Sequence, residues 1–148
     1  MTGFAVSILR IPASADRFYE VCEFVRSRAA ALGVPDSLHM KLDLVVEELV
    51  VNIASYAYPD GGGDVEVECE RGFDPLDEGA SGEFFCVRLR DWGLAFDPLQ
   101  GPPPDVTAAM HKRDVGGLGV HLVREMTDSC RYERRQDMNE FTACFQIG

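Results

Sequence analysis

The segment Val45-Val46-Glu47-Glu48-Leu49-Val50-Val51-Asn52-Ile53-Ala54-Ser55-Tyr56 constrains this chain more than any other. Its spacing predicts a helix, and Val45, Val46, Leu49, Val50, Val51 and Ile53 leave little of the helical surface for water. A helix apolar nearly all round belongs inside a fold. Glu48 and Asn52 are four residues apart and so share one face of it. Burying a carboxylate and an amide without partners is costly. The two must open onto a cavity or meet polar groups from elsewhere in the chain.

At 148 residues the chain is long enough to bury a real core as one domain, 1–148. No apolar run approaches the roughly 18 residues of a membrane span. No basic segment followed by an apolar one opens the sequence, so the expectation is a cytoplasmic protein without a membrane partner. The net charge of −11 argues against a direct nucleic-acid surface, which needs clustered Lys and Arg. An acidic protein still binds a polyphosphate when a divalent cation and backbone N–H groups supply positive field. Five cysteines, Cys22, Cys69, Cys86, Cys130 and Cys144, form no C-x-x-C pair. Their odd number and wide spacing predict buried free thiols rather than disulfides or zinc ligands.

Along the chain, Phe4, Val6 and Ile8 alternate in a short strand that Pro12 ends. Ser14 is a natural N-cap for a helix from about Ala15 to Leu32, with Phe18, Val21, Cys22, Val25 and Ala29 facing a core and Gly33 as its stop. The central helix starts at Pro35-Asp36-Ser37 and reaches about Tyr58, where Pro59-Asp60-Gly61-Gly62-Gly63 breaks it. Two strands follow, Asp64 to Glu70 with Val65, Val67 and Cys69 inward, and Glu83 to Asp91 with Phe85, Val87 and Leu89 inward. Gly72 to Gly82 between them reads as a mobile surface loop. A helix over Val120 to Met126 and a closing hairpin, Ser129 to Arg135 and Glu140 to Ile147, complete the chain. This order predicts an α+β fold, a two-layer α/β sandwich with helices on one face of a mixed, mostly antiparallel sheet.

Three constellations carry chemistry. In Glu48…Asn52 the amide oxygen suits Mg²⁺ and the carboxylate suits a proton acceptor, although an ordinary polar stripe has the same spacing. In Asp91-x-Gly93-x-x-Phe96-Asp97 a strand-end carboxylate can accept from the amine of adenine, with Gly93 letting the ring approach the backbone. A plain β-turn uses the same residues. Gly116-Gly117-Leu118-Gly119 opens a helix whose N–H groups can seat phosphate oxygens, or else forms a hinge or a close helix contact. No Gly-Lys-Ser/Thr follows it, so it is not a Walker loop.

Taken together and in this order, Glu48 to Tyr58, Asp91 to Pro98 and Gly116 to Val123 resemble the GHKL superfamily of ATP-binding domains (gyrase, the ninety-kilodalton chaperone, histidine kinases, MutL). Within it the chain most resembles the bacterial anti-sigma-factor serine/threonine kinases, and Asn139-Glu140-Phe141-Thr142 resembles their last-strand Asn-x-x-Thr. The resemblance covers nearly the whole chain and implies the Bergerat type of sandwich. It implies Glu48 as general base, Asn52 as Mg²⁺ ligand, and Asp91 and Thr142 as adenine contacts. Gly93 and Phe96 would shape the base pocket, Gly116, Gly117, Leu118 and Gly119 would hold phosphates, and residues from Leu99 to Val115 would form a lid. His111, Lys112 and Arg113 in that lid would meet phosphate or a partner, or simply solvent. Ser55 stands where many members carry His.

The implied function is an ATP- and Mg²⁺-dependent serine kinase that regulates transcription as an anti-sigma factor. It would phosphorylate a STAS-type antagonist and sequester a sigma factor, and a homodimer is allowed. A non-catalytic ATP-binding switch of the same fold is the alternative. A histidine-kinase-like catalytic fragment would require dimerisation helices with a phosphoacceptor His. Coincidence of all three motifs would leave ATP without effect on stability.

Overall fold

The computed structural model describes residues 8–77, 79–100 and 122–148. Strand β1 (Ile8–Pro12) leads through a single 3-10 turn (Ala15–Arg17) into α1 (Phe18–Ala31). Phe18, Val21, Val25 and Ala29 make the buried stripe of α1, and Cys22 is only half-buried. Ser14 does not cap the helix as its position predicts: its hydroxyl donates to the Asp16 carboxylate instead. Gly33, at φ +77°, supplies the left-handed residue that ends α1. A second 3-10 turn (Asp36–Leu38) precedes α2 (His39–Asn52), which continues as a π-helical turn over Ile53–Ala57.

The remaining strands are β2 (Asp64–Gly72), β3 (Phe84–Asp91), β4 (Ser129–Arg135) and β5 (Met138–Gln146). They form one five-stranded sheet in the order β1-β2-β3-β5-β4. Every pairing among the described residues is antiparallel, and the expected two-layer sandwich is present. Both helices cover one face. Val21 and Val25 of α1, Val45, Val46 and Val50 of α2, and Val65, Val67, Phe85, Val87, Leu89 and Phe145 of the sheet share a single core. No helix among the described residues is long and apolar enough to cross a membrane.

Several sequence expectations are corrected here. The alternation in β1 is shifted by one residue: Ile8 is exposed, and Leu9 and Ile11 turn to the core. Its first half, Phe4 to Ser7, lies outside the described residues. Val51 is 46% exposed, so α2 is not buried all round. It packs on the sheet and on α1. The segment from Gly72 to Gly82 is more than a surface loop. Leu76 and Ala80 cover Phe84 and Cys86 on the far face of the sheet, and buried Asp74 accepts from the Ser129 hydroxyl at 2.8 Å.

The cysteine expectation also fails in part. Cys86 and Cys144 are opposite each other in the β3–β5 register and form a disulfide, leaving Cys22, Cys69 and Cys130 free. Side chains directly opposite on neighbouring strands lie within bonding reach, a proximity that a sequence separation of 58 conceals. The closing hairpin turns on two residues, Gln136 and Asp137, with Gln136 at φ 55°, so β5 starts at Met138 rather than Glu140.

Beyond the covered patch, the far face is charged. Arg90 donates to Glu140 at 2.8 Å, Glu68 at 2.8 Å and Glu66 at 3.1 Å, which holds its guanidinium firmly protonated. A sheet with one apolar and one ionic face has only one side on which to stack helices.

Candidate functional site

The site forms where the end of α2 meets the end of β3. The π turn carries Ala57 against the loop after Asp91, and the Leu94 N–H donates to the Ala57 carbonyl at 2.8 Å. π turns widen a helix locally and recur at functional sites. Tyr58 ties the same two segments together. Its hydroxyl donates to the Asp64 carbonyl at 2.6 Å and accepts from the Trp92 N–H at 2.7 Å. A Cβ at Gly63 would lie 1.9 Å from the Tyr58 ring, so only glycine leaves that ring room. The Arg10 guanidinium lies 4.3 Å from the centre of the Trp92 ring, bracing it from outside.

Between these elements is a small cavity, about 30 Å³, that opens to solvent. Leu49, Ile53, Leu89, Phe96, Pro98 and Phe141 supply apolar walls, and the Tyr56 ring stacks at a tilt 4.8 Å from Phe96. Asn52, Asp91 and Asn139 supply the polar lining, together with Tyr132.

Asp91 is 5% exposed and its bonding is one-sided. The Gly93 N–H donates to its Oδ1 at 2.9 Å, and Asn139 Nδ2 donates to the same Oδ1 at 2.8 Å. Oδ2 has no hydrogen-bond partner among the described residues. Burial pushes the carboxyl's pKa up, opposed by those two hydrogen bonds and by the charge of Arg134. Asn139 is held in turn. Its second Nδ2 hydrogen goes to the Leu94 carbonyl at 2.8 Å, and its Oδ1 accepts from Arg134 at 3.2 Å and from the Tyr132 hydroxyl. Arg134 also donates to the Gly93 carbonyl at 2.8 Å.

The sequence-named residues divide as follows. Asn52 and Phe96 line the cavity with Asp91, and the Asn52 amide has no hydrogen-bond partner among the described residues. Glu48 lies one helical turn earlier, half-buried, its pKa raised by burial and secondarily by Glu47. It is not part of the cavity lining. Gly93 is needed for close approach, but the group that approaches is the Ala57 backbone rather than a ring. Thr142 is a correction. Side chains alternate along β5, and Asn139, Phe141, Ala143 and Phe145 take the inner face. Thr142 therefore faces outward, opposite Arg88, and Asn139 occupies the place beside Asp91. A polar residue heading an otherwise apolar inward series was the signal for Asn139, whereas Tyr58, Tyr132 and Arg134 left none. Gly116, Gly117, Leu118, Gly119, the cluster His111, Lys112, Arg113 and nearly all of the lid lie outside the described residues. Past them, residues 122–126 are helical, as expected.

The arrangement suits a flat heteroaromatic ring held between apolar walls, with one carboxylate oxygen open to an N–H donor. From residue 11 to residue 145 the chain matches the family model of the histidine kinase-like ATPase domain. Among the solved structures that share its fold are two bacterial ones. One contains the RsbU and RsbW domains of Rv1364c from Mycobacterium tuberculosis, with TM-score 0.62 and 14% identity over 95% of this chain. This chain spans only 32% of that longer one. The other is the SiaB–SiaC complex from Pseudomonas aeruginosa, with TM-score 0.59 and 18% identity over 95% of this chain and 91% of that one. No curated protein matches the chain.

Proposed function

The chain belongs to the histidine kinase-like ATPase domain family, and on that premise we propose that it binds ATP with Mg²⁺ and phosphorylates a serine of a protein partner. The observation that carries the proposal is Asp91, whose Oδ1 is occupied from within while Oδ2 remains for an exocyclic amine. In this reading Phe96 and Ile53 flank the base. Asn52 offers an amide oxygen, the hard donor Mg²⁺ takes. No group of three metal-binding side chains occurs among the described residues. A magnesium ion in such a site is held mainly by phosphate oxygens and water.

Gly116, Gly117, Leu118 and Gly119 would donate backbone N–H groups to the phosphates, under a lid of residues 99–115. Glu48, its pKa raised, takes the serine proton as the hydroxyl oxygen bonds to the γ-phosphorus and the bond to the β-phosphate oxygen breaks. The partner we propose is a STAS-type antagonist of an anti-sigma factor, with this chain holding a sigma factor when the antagonist is absent. Support comes from fold likeness to a chain with an RsbW domain and to a protein solved in complex with SiaC.

Two measurements test this. ATP with Mg²⁺ at a hundredfold its Kd is expected to add about 2.7 kcal/mol of stability, and Asp91→Asn is expected to abolish that gain. Radiolabelled γ-phosphate is expected to reach the antagonist, and undiminished transfer by Glu48→Ala would remove Glu48 from the role of base. A second reading, a non-catalytic ATP switch, is favoured by Ser55, which stands exposed where many members carry His. It keeps the ATP stabilisation and predicts no phosphoserine in the partner by mass spectrometry.

A further inference from the structure

We infer that Asn139 is the positioning residue that decides which purine edge the cavity accepts, selecting a 6-amino over a 6-oxo ring; this rests on the nucleotide reading above. The orientation of its amide is forced. Arg134 can only donate and the Leu94 carbonyl can only accept, so Oδ1 must face the arginine and Nδ2 the carbonyl. The remaining Nδ2 hydrogen then has one destination, Oδ1 of Asp91 at 2.8 Å. Asn139 is 6% exposed, so water does not readily substitute for any of these contacts.

The consequence falls on Asp91. With Gly93 N–H and Asn139 Nδ2 both on Oδ1, turning the carboxylate breaks two hydrogen bonds at once. Oδ2 is thereby fixed as an acceptor. A ligand N–H meets it favourably, whereas a ligand carbonyl places two acceptors face to face and leaves both unpaired. Rejection through an unpaired buried polar group is the stronger form of discrimination. Thr142, on the outer face of β5, has no part in it.

The test compares two nearly isosteric variants, Asn139→Thr and Asn139→Val. The threonine hydroxyl still donates toward Asp91, and the valine cannot. Dissociation constants for ATP·Mg and ITP·Mg are measured by titration calorimetry on the full chain and each variant. Wild type is expected to prefer ATP by about tenfold or more. N139T is expected to keep most of that ratio, and N139V to bring it close to one. A ratio that stays at the wild-type value in N139V, or falls equally in both variants, would overturn the role of Asn139 while leaving ATP binding intact. Failure of wild type to bind either nucleotide would instead remove the nucleotide reading itself.

Discussion

Gly93 and Ala57 meet backbone to backbone: a Cβ on Gly93 would lie 2.1 Å from the Ala57 carbonyl oxygen. The same oxygen accepts the Leu94 N–H at 2.8 Å. One contact therefore sets the spacing between the end of α2, which carries Asn52, and the turn that carries Asp91.

Gly93→Ala follows directly. The atom in the way is backbone and cannot swing aside, so the turn or the helix end must move. The expected cost is about 1–3 kcal/mol of stability. Weakened ATP binding should accompany it, because Asp91 moves with the turn. Thermal melts with and without ATP check both effects, and a melt indistinguishable from wild type would contradict the contact.

Tyr58→Phe removes a bridge without removing the ring. The Trp92 N–H and the Asp64 carbonyl each lose a partner. A loss of roughly 1–3 kcal/mol is expected for donors and acceptors left part-buried. Trp92 is the only tryptophan in the chain, so a shift in its emission reports loosening at this point and separates it from a distant effect.

Glu48→Gln should stabilise the protein above the ordinary carboxylate range. Burial raises the folded-state pKa of Glu48 above its unfolded value, so the folded state holds the proton more tightly. The stability Glu48 contributes is full below the unfolded pKa, about 4.3, and is lost as pH rises through the folded pKa. The variant's Tm is therefore expected to exceed that of wild type at pH 7 and to converge with it near pH 4. Phosphoryl transfer should be lost in the same variant. A Tm difference independent of pH would show that ionisation is not its cause.

Thiol titration of the unreduced, denatured protein should find three thiols, Cys22, Cys69 and Cys130, and five after reduction. In the native state Cys69 should resist alkylation, since burial pushes its thiol up to about 12. Cys86→Ser opens a link spanning 58 residues, for which loop entropy gives about 4 kcal/mol under oxidising conditions. Little difference from wild type is expected in reductant.

Much of this was legible in the sequence because it is local. The inward series Val65, Val67, Cys69 and Phe85, Val87, Leu89 follow from the two-residue repeat of a strand. Gly33 at the end of α1 and the break at Gly61 and Gly62 follow from backbone positions that other residues adopt at a cost. Phe84 and Cys86 were harder to read. Their burial depends on Leu76 and Ala80 folding back over the far face, which the polar composition of that loop hides.

By itself the sequence determined most of the elements, the buried faces of β2 and β3, and the order of the Glu48, Asp91 and Gly116 motifs. Only the tertiary structure decided that Asn139 rather than Thr142 reaches Asp91, that Cys86 meets Cys144, and that Val51 stays in water. The physical reason is register. Which residues 48 or 58 positions apart become neighbours depends on how antiparallel strands align. A shift of one residue in that alignment turns every side chain to the opposite face.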